Sequence, residues 1–374
     1  MGNVRRILCI SSIDWHFIWQ RHQTFMKGFA DQGWEVDYLG NTFFRNPKWS
    51  DLYRLRNKTK ASSMQNDIPS NVKLISPQVL PPNGMLFRML NRYILIPRLL
   101  RKLRNHYDIV VLYMPSYTTE IILSKISKSW TIFDYVAHFE GHPDCSKDYP
   151  EIESRIMAQT DMVTTDSTFL YELLRNRHKS VHQIHHGVQI EHFIRPTLNT
   201  PPDAYRKFCF FGGIDDRMDW DSIKAIAMAG YEVTLIGPAK VRVPNYVIYK
   251  PAMNMEELAR ELDKYNAFII PYLLTDYNHG IIPAKIYECF AMGKPLLVSP
   301  LPALESLNKL LYICRTPEDY VRTIAGLNET ESMSIISKRK ELALDQSTGR
   351  NFEKLLTIIK NERGNDEKEA VARN

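Results

Sequence analysis

The run from Asn278 to Val298, NHGIIPAKIYECFAMGKPLLV, places Pro283, Lys285 and Glu288 close together. Proline suits the first turn of a helix, where its missing N–H costs nothing. Backbone N–H groups at such a start attract phosphate. Lys285 adds a cation in the first turn. Glu288, three residues on, points roughly the same way and can accept two hydrogen bonds from a ribose. An amphipathic helix with a plain surface Lys–Glu pair fits the same residue types equally well.

Two further runs carry chemistry-bearing side chains. In Phe210 to Asp221, FFGGIDDRMDWD, Gly212 and Gly213 let the backbone approach a phosphate after a strand, and Arg217 offers a two-pronged donor. A glycine turn beside a solvated arginine is the plainer alternative. In Asp134 to Asp144, DYVAHFEGHPD, Asp134 or His138 can take a proton from an attacking hydroxyl, and the choice between them stays open. A turn-forming aspartate and ordinary loop histidines explain the same run. His138 and His142 have a zinc-like spacing, but they share a Gly- and Pro-containing loop rather than a helix, so no metal is expected. Ser11 to Gln20 holds no glycine, which argues against a dinucleotide-binding dehydrogenase.

These runs need a scaffold. The chain has 374 residues, enough for two domains, with 44% hydrophobic and 24% charged residues, which excludes disorder for most of it. Its apolar runs are too short to span a bilayer, and the start, MGNVRRILCI, is too short in apolar residues for a signal peptide. Five widely spaced cysteines without a CxxC pair suggest a reducing cytoplasm. Short apolar runs alternate with helical patterns. Strands are expected at 7–10, 34–39, 109–113, 131–133 and 162–165, then at 207–211, 233–238, 267–271 and 295–299. Helices are expected near 221–229, 255–263 and 284–292. The fold class is therefore α/β, two doubly wound domains with ligands expected in the cleft between them. The boundaries are 1–195 for the first domain and 206–335 for the second, joined by the proline-rich RPTLNTPP at 195–202. A helical segment at 336–362 is expected to pack back toward the first domain, with a frayed tail at 363–374.

Net charge is +6, unevenly placed. Between Arg45 and Arg104 thirteen basic residues stand against two acidic ones, Asp51 and Asp67. Within this stretch, Gly84 to Arg104 interleaves large apolar residues with Arg88, Arg92, Arg98, Arg101, Lys102 and Arg104, and Pro97 is expected to kink or split the helix. Such a helix can lie on a membrane surface, or it can be a domain helix with an apolar core face. Nothing resembles a groove-reading motif, so nucleic acid is not expected.

The Asn278–Val298 run resembles the nucleotide-sugar motif of GT-B glycosyltransferases related to glycosyltransferase family 4. It is closest in pattern to the Pro-x-Lys-x-x-Glu subgroup of teichuronic acid and exopolysaccharide type. Gly280 stands where the first glutamate of the superfamily's two-glutamate motif would be. FFGGID at 210–215 resembles the opening of that subgroup's second domain. LIGP at 235–238, with Gly237, resembles its strand-end turn near the base, and FIIPY at 268–272 the strand leading to the sugar loop. WHFIWQRHQ at 15–23 is similar to its first loop, with His22 replacing a proline, while ADxV- and NGV-like segments appear at 161–167 and 185–188 with His186 in place of asparagine.

The resemblance implies a metal-independent hexosyltransferase without a cofactor. It would move a sugar from a nucleotide-diphosphate donor, UDP-linked, to a lipid-linked or polysaccharide acceptor. It would work in the cytoplasm, peripherally on the inner membrane face. Donor would be bound by Gly212, Gly213, Arg217, Gly237, Pro283, Lys285, Tyr287 and Glu288, with Asp134 or His138 as base. A sugar-nucleotide 2-epimerase and a non-catalytic GT-B partner subunit are the rival readings.

Overall fold

The structure is a computed structural model describing residues 4–16, 19–40, 42, 68–81, 84–141, 145–194, 204–275 and 278–372, with side chains described to residue 364. Phe17 and Ile18 of the first loop, His142, the basic residues at 45–60 and the linker residues 195–202 lie outside the described residues.

The chain divides into two compact units, Met1–Ile184 and His185–Asn374. In the first, Arg6–Ile10, Ile109–Leu112, Thr131–Tyr135 and Met162–Thr165 are almost wholly buried strands, as continuous apolar runs require when both sheet faces are covered. They occupy the centre of a seven-stranded sheet. Its order is Val72–Ile75, Glu35–Leu39, Arg6–Ile10, Ile109–Leu112, Thr131–Tyr135, Met162–Thr165, Val181–Gln183, and every pairing is parallel. The reversal of strand order falls between Arg6–Ile10 and Ile109–Leu112, so the strand ends there form the topological switch point.

The second unit repeats the plan with six parallel strands: Ile248–Lys250, Glu232–Ile236, Lys207–Phe211, Ala267–Ile270, Leu296–Val298 and Tyr312–Ile313. Its core gathers Phe208, Phe210, Ile223, Leu235, Ile269 and Leu297. Two doubly wound, Rossmann-like units are the α/β class expected.

Two expectations change, at residues 185–193 and at the C-terminal tail. Residues 185–193, assigned from sequence to the first domain, fall in the second unit. The cause is visible at Gly187, where an added Cβ would lie 2.7 Å from the Thr348 Cα, and Val188 bridges Ser347 in a parallel pair. The helices Met333–Asp345 and Thr348–Ala372 also lie in the second unit, the former against Gly293, beside Ile336 and Lys340. The segment expected to fray from 363 is helical to Ala372, in keeping with its Glu, Lys and Ala content.

Pro97 does not split its helix. The turns Met85–Leu90, Asn91–Leu95 and Ile96–Leu100 run on without a break, the middle one as a π-helical turn. A wide turn just before the proline absorbs its missing donor and ring. The buried Asn91 exploits this, accepting from the Leu80 N–H at 2.8 Å and donating to the Leu80 carbonyl at 2.7 Å.

Candidate donor site and its surroundings

The second sheet's strands end in a cluster of close backbone approaches. Lys207–Phe211 runs into Gly212 at φ +125°, and Glu232–Ile236 into Gly237 at φ +142°. An added Cβ on Gly237 would collide with the Gly212 carbonyl oxygen, so the second turn fits only as glycine, and the φ of Gly212 favours glycine in the first. The Gly212 N–H donates to the Ile236 carbonyl at 2.8 Å, locking the turns together.

Lys285 opens the helix Lys285–Ala291 and reaches this cluster. Its Nζ sits 3.9 Å from the Phe210 ring centroid and 5.5 Å from that of Tyr272, whose hydroxyl it contacts at 3.2 Å. An added Cβ on Gly212 would lie 2.6 Å from the same Nζ. Ring faces attract the ammonium without neutralising it. Among the described residues no carboxylate forms an ion pair with Lys285, so a cation stands over a glycine turn with its charge uncompensated.

Glu288 is partly buried one turn later. No hydrogen bond or ion pair engages its carboxylate among the described residues. Burial pushes its carboxyl up to about 7, with Lys285 pulling the other way. The Lys285–Glu288 surface pair is therefore not formed. Pro283 is buried ahead of the N-cap Ala284. The Ile286 N–H is already taken by the Pro283 carbonyl at 3.0 Å. In a helix of two turns this leaves the Lys285 ammonium, more than the helix start, as the anion-seeking group.

The other donor-site candidates divide. Gly213 has open space beside it, its nearest neighbour to an added Cβ being Asp215 Oδ2 at 3.9 Å. Arg217 engages Asp215 through Nε at 2.9 Å and Nη2 at 2.8 Å and lies over the Tyr272 ring. Burial opposes ionisation of Asp215, yet Arg217 outweighs it and holds that carboxyl below its ordinary range. Arg217 thus arrives with one carboxylate in its fork, near the ring that braces Lys285. Tyr287 does not line a site. It is buried at 1% exposure between His185 and Phe290, because it lies two residues, about 200° of helix, from Lys285.

In the first unit the structure overturns Asp134 as a base. Its carboxylate is buried and held by Arg21, Nε to Oδ2 at 2.7 Å and Nη2 to Oδ1 at 3.0 Å, with the Thr164 hydroxyl donating at 2.7 Å. Arg21 also donates to the Ile184 carbonyl at 2.6 Å. A carboxylate committed to this pair pins the strand Thr131–Tyr135 to the helix Arg21–Asp31. The run Gln20 to Gln23 is accounted for in the same way: Gln20 and Gln23 cap that helix reciprocally, and His22 packs on Tyr113 with ring centroids 3.7 Å apart. His138, past the end of the strand, is partly exposed, with Nε2 3.8 Å from Glu140. Among the described residues no group of three or more His, Cys, Asp or Glu side chains is placed to hold a metal ion.

The basic helix also divides. Arg88 pairs with Asp148 at 2.6 Å and covers the Tyr117 ring, and Arg104 pairs with Glu35 at 2.6 Å and Asp37 at 3.2 Å. These two serve as internal ties while remaining partly exposed. Arg92, Arg98, Arg101 and Lys102 are exposed, and no carboxylate pairs with them among the described residues.

Sequence reasoning missed Phe210 and Tyr272 as supports for Lys285, and Arg21 as the partner of Asp134. Phe210 alternates as an ordinary core residue, and no local spacing links Arg21 to a strand 113 positions away.

With this geometry in hand, the likenesses to known proteins are informative. The chain aligns along 96% of its length with a sucrose-phosphate synthase of Thermosynechococcus elongatus, covering 98% of that chain at a TM-score of 0.69 and 14% identity. The fold is GT-B. The same architecture recurs in WaaG, a glycosyltransferase involved in lipopolysaccharide biosynthesis, at a TM-score of 0.63, 12% identity and coverage of 95% and 99%. It recurs in Anabaena HepE, solved in complex with UDP and glucose, at a TM-score of 0.62, 11% identity and coverage of 96% and 100%. In sequence, this GT-B chain is similar to TuaH of Bacillus subtilis (strain 168), whose name assigns it to teichuronic acid biosynthesis as a glycosyltransferase. The two are 27% identical over 180 residues, 42% of this chain and 45% of TuaH. The chain thus matches less than half the length of that curated relative. No protein-family model matches the chain. The expected GT-B fold therefore holds, and part of the sequence resembles a glycosyltransferase.

Proposed function

We propose that the protein is a glycosyltransferase that takes a sugar from a nucleotide-diphosphate donor, UDP-linked, and passes it to a lipid-linked or polysaccharide acceptor. The observation that carries this reading is the Lys285 ammonium, braced by Phe210 and Tyr272 over Gly212, with the unpaired Glu288 one turn on. In this reading Lys285 neutralises the leaving diphosphate, whose charge grows as the glycosidic bond breaks. Gly212, Gly213 and Gly237 admit the phosphates close to backbone. Glu288 accepts the ribose hydroxyls, and Arg217 closes on the far side with Asp215 setting its fork. His138 is the proposed base for the acceptor hydroxyl. The positive side chains take the role a metal ion plays elsewhere, so activity is expected without added metal. The HepE complex, which holds UDP and glucose in a related fold, supports a UDP-linked donor. The proposed place of work is the cytoplasmic face of the membrane. Among the described residues no helix is long and apolar enough to cross a membrane.

A screen of melting temperature against UDP-, GDP- and ADP-sugars tests the donor class, since a ligand of the native state raises it. The expected result is a rise with UDP-sugars alone. No rise with any nucleotide sugar overturns the reading in favour of a non-catalytic GT-B subunit, and conversion of donor without acceptor would favour the epimerase.

A further inference from the structure

We infer that the helix running from Met85 to Leu100 docks the first unit onto an anionic phospholipid surface, its N-terminal half inserting at the headgroup–acyl boundary. This deepens the membrane-face reading above and rests on it only for the place of action.

The N-terminal half of this helix reverses the usual burial. Met85 is 81% exposed, Leu86 67%, Met89 49% and Tyr93 67%, and no residue of Met85–Leu90 is buried. Positions 85, 86, 89 and 93 fall on one side of a helix at about 100° per residue. A cluster of large apolar side chains in water marks an interaction surface, whereas scattered single ones do not. The C-terminal half behaves normally. Ile96 and Leu99 are buried in the first unit's core, which anchors the helix, while Met85, Leu86 and Met89 of its first turns stand in solvent.

Charge selects the occupant. Residues 68 to 107 contain no Asp or Glu, yet they contain Lys73, Arg88, Arg92, Arg98, Arg101, Lys102 and Arg104. After the internal pairs of Arg88 and Arg104, four exposed cations remain on the helix or just beyond its end. Past its C-terminal end, Arg101 and Lys102 meet Lys73 around a shallow cavity of about 350 Å³. Arg92 lies over the Tyr93 ring at 5.8 Å, a pairing suited to the headgroup level, where an aromatic body and a cationic tip are both accommodated. A neutral protein partner would have no use for an acid-free cationic rim, whereas anionic lipid is attracted at each exposed Lys or Arg.

Flotation with vesicles of phosphatidylcholine and phosphatidylglycerol at 3:1, and with pure phosphatidylcholine, tests the inference on the whole chain without donor or acceptor. The wild type is expected to float with the mixed vesicles, far less with the neutral ones, and to be released as salt is raised. Leu86→Ser with Met89→Ser and Tyr93→Ser removes three apolar contacts, each worth roughly tenfold in partitioning, so binding should fall by at least about 100-fold. Arg92→Gln with Arg98→Gln and Arg101→Gln should abolish the preference for anionic vesicles. Because all six side chains are exposed or only partly buried, melting temperature should stay close to wild type. Three results would overturn the proposal: wild type that remains unbound, an apolar variant that floats like wild type, or a wild-type dimer that the apolar variant converts to monomer. The last would make this face a contact between copies of the chain. Calorimetry with a UDP-sugar is independent of these variants, so failure of the donor reading registers separately.

Discussion

Gly212 is the point where backbone geometry and the proposed donor chemistry meet. Alanine there meets two separate penalties. The first is conformational: φ +125° is a region only glycine occupies freely, and a non-glycine residue there costs about 1–3 kcal/mol. At roughly 2–4 °C per kcal/mol for a unit of this size, the melting temperature should fall by about 2–12 °C. The second is local. The new Cβ would stand 2.6 Å from Lys285 Nζ, and ordinary contact begins at 3.4 Å, so the ammonium must retreat by about 0.8 Å. Lys285 is flexible, so the retreat costs little stability, but it draws the charge out of hydrogen-bond reach of a bound phosphate. A charge-assisted hydrogen bond is worth about 1.5–3 kcal/mol, which translates to roughly 10- to 100-fold in donor affinity. Gly230→Ala is the matched control: φ is +88° and nothing lies within 4 Å of the added carbon. Calorimetric titration of both variants with a UDP-sugar, beside their melting curves, separates the penalties. Both should melt lower, and only Gly212→Ala should bind donor weakly. Wild-type affinity in Gly212→Ala, or an equal loss in Gly230→Ala, would refute the argument.

In the proposed reading, Glu288 makes donor binding depend on pH. Its carboxyl is raised from 4.5 to about 7, so the ionised form that accepts both ribose hydroxyls becomes dominant only above about 7. UDP-sugar affinity should therefore rise with pH, level off above 7, and fall by up to about tenfold per unit below it, while Glu288→Gln gives a weaker, flat profile by calorimetry. The linked stability has the opposite sign. A raised carboxyl favours the folded state below about 4.5 and loses that advantage as pH rises through 7, so Glu288→Gln should melt above wild type at pH 8 and not at pH 4. Asp134→Asn should strand the buried Arg21, costing about 3–5 kcal/mol in urea unfolding while the folded protein keeps the proposed transfer activity. Unchanged stability with lost turnover would restore Asp134 as a base.

The fold was legible where burial is uniform. Lys207–Phe211 and Ala267–Ile270 sit within buried sheets, and their apolar runs announce them. Edge strands such as Val72–Ile75 and Ile248–Lys250 have one wet side, so their patterns resemble loops, and none was expected there. Helical spacing brought Lys285 and Glu288 to one face, and the same arithmetic puts Tyr287 opposite. Spacing alone therefore sufficed to exclude Tyr287. Asp134 shows the limit of local reading. A carboxylate at a strand end looks the same in sequence whether it meets substrate or an arginine from another helix, and only the packed sheet brings Arg21 to it. The exposed apolar turn at Met85–Leu90 is similarly hidden, because sequence gives helical spacing but not which side the core covers.

The most direct measurement is the dissociation constant of a UDP-sugar for wild type, Lys285→Ala and Glu288→Ala, taken by calorimetry on samples of matched melting temperature. Weakening of roughly tenfold or more in each variant is the expected result. Equal affinity in all three would show that the nucleotide sugar does not meet the cation and carboxylate of this helix.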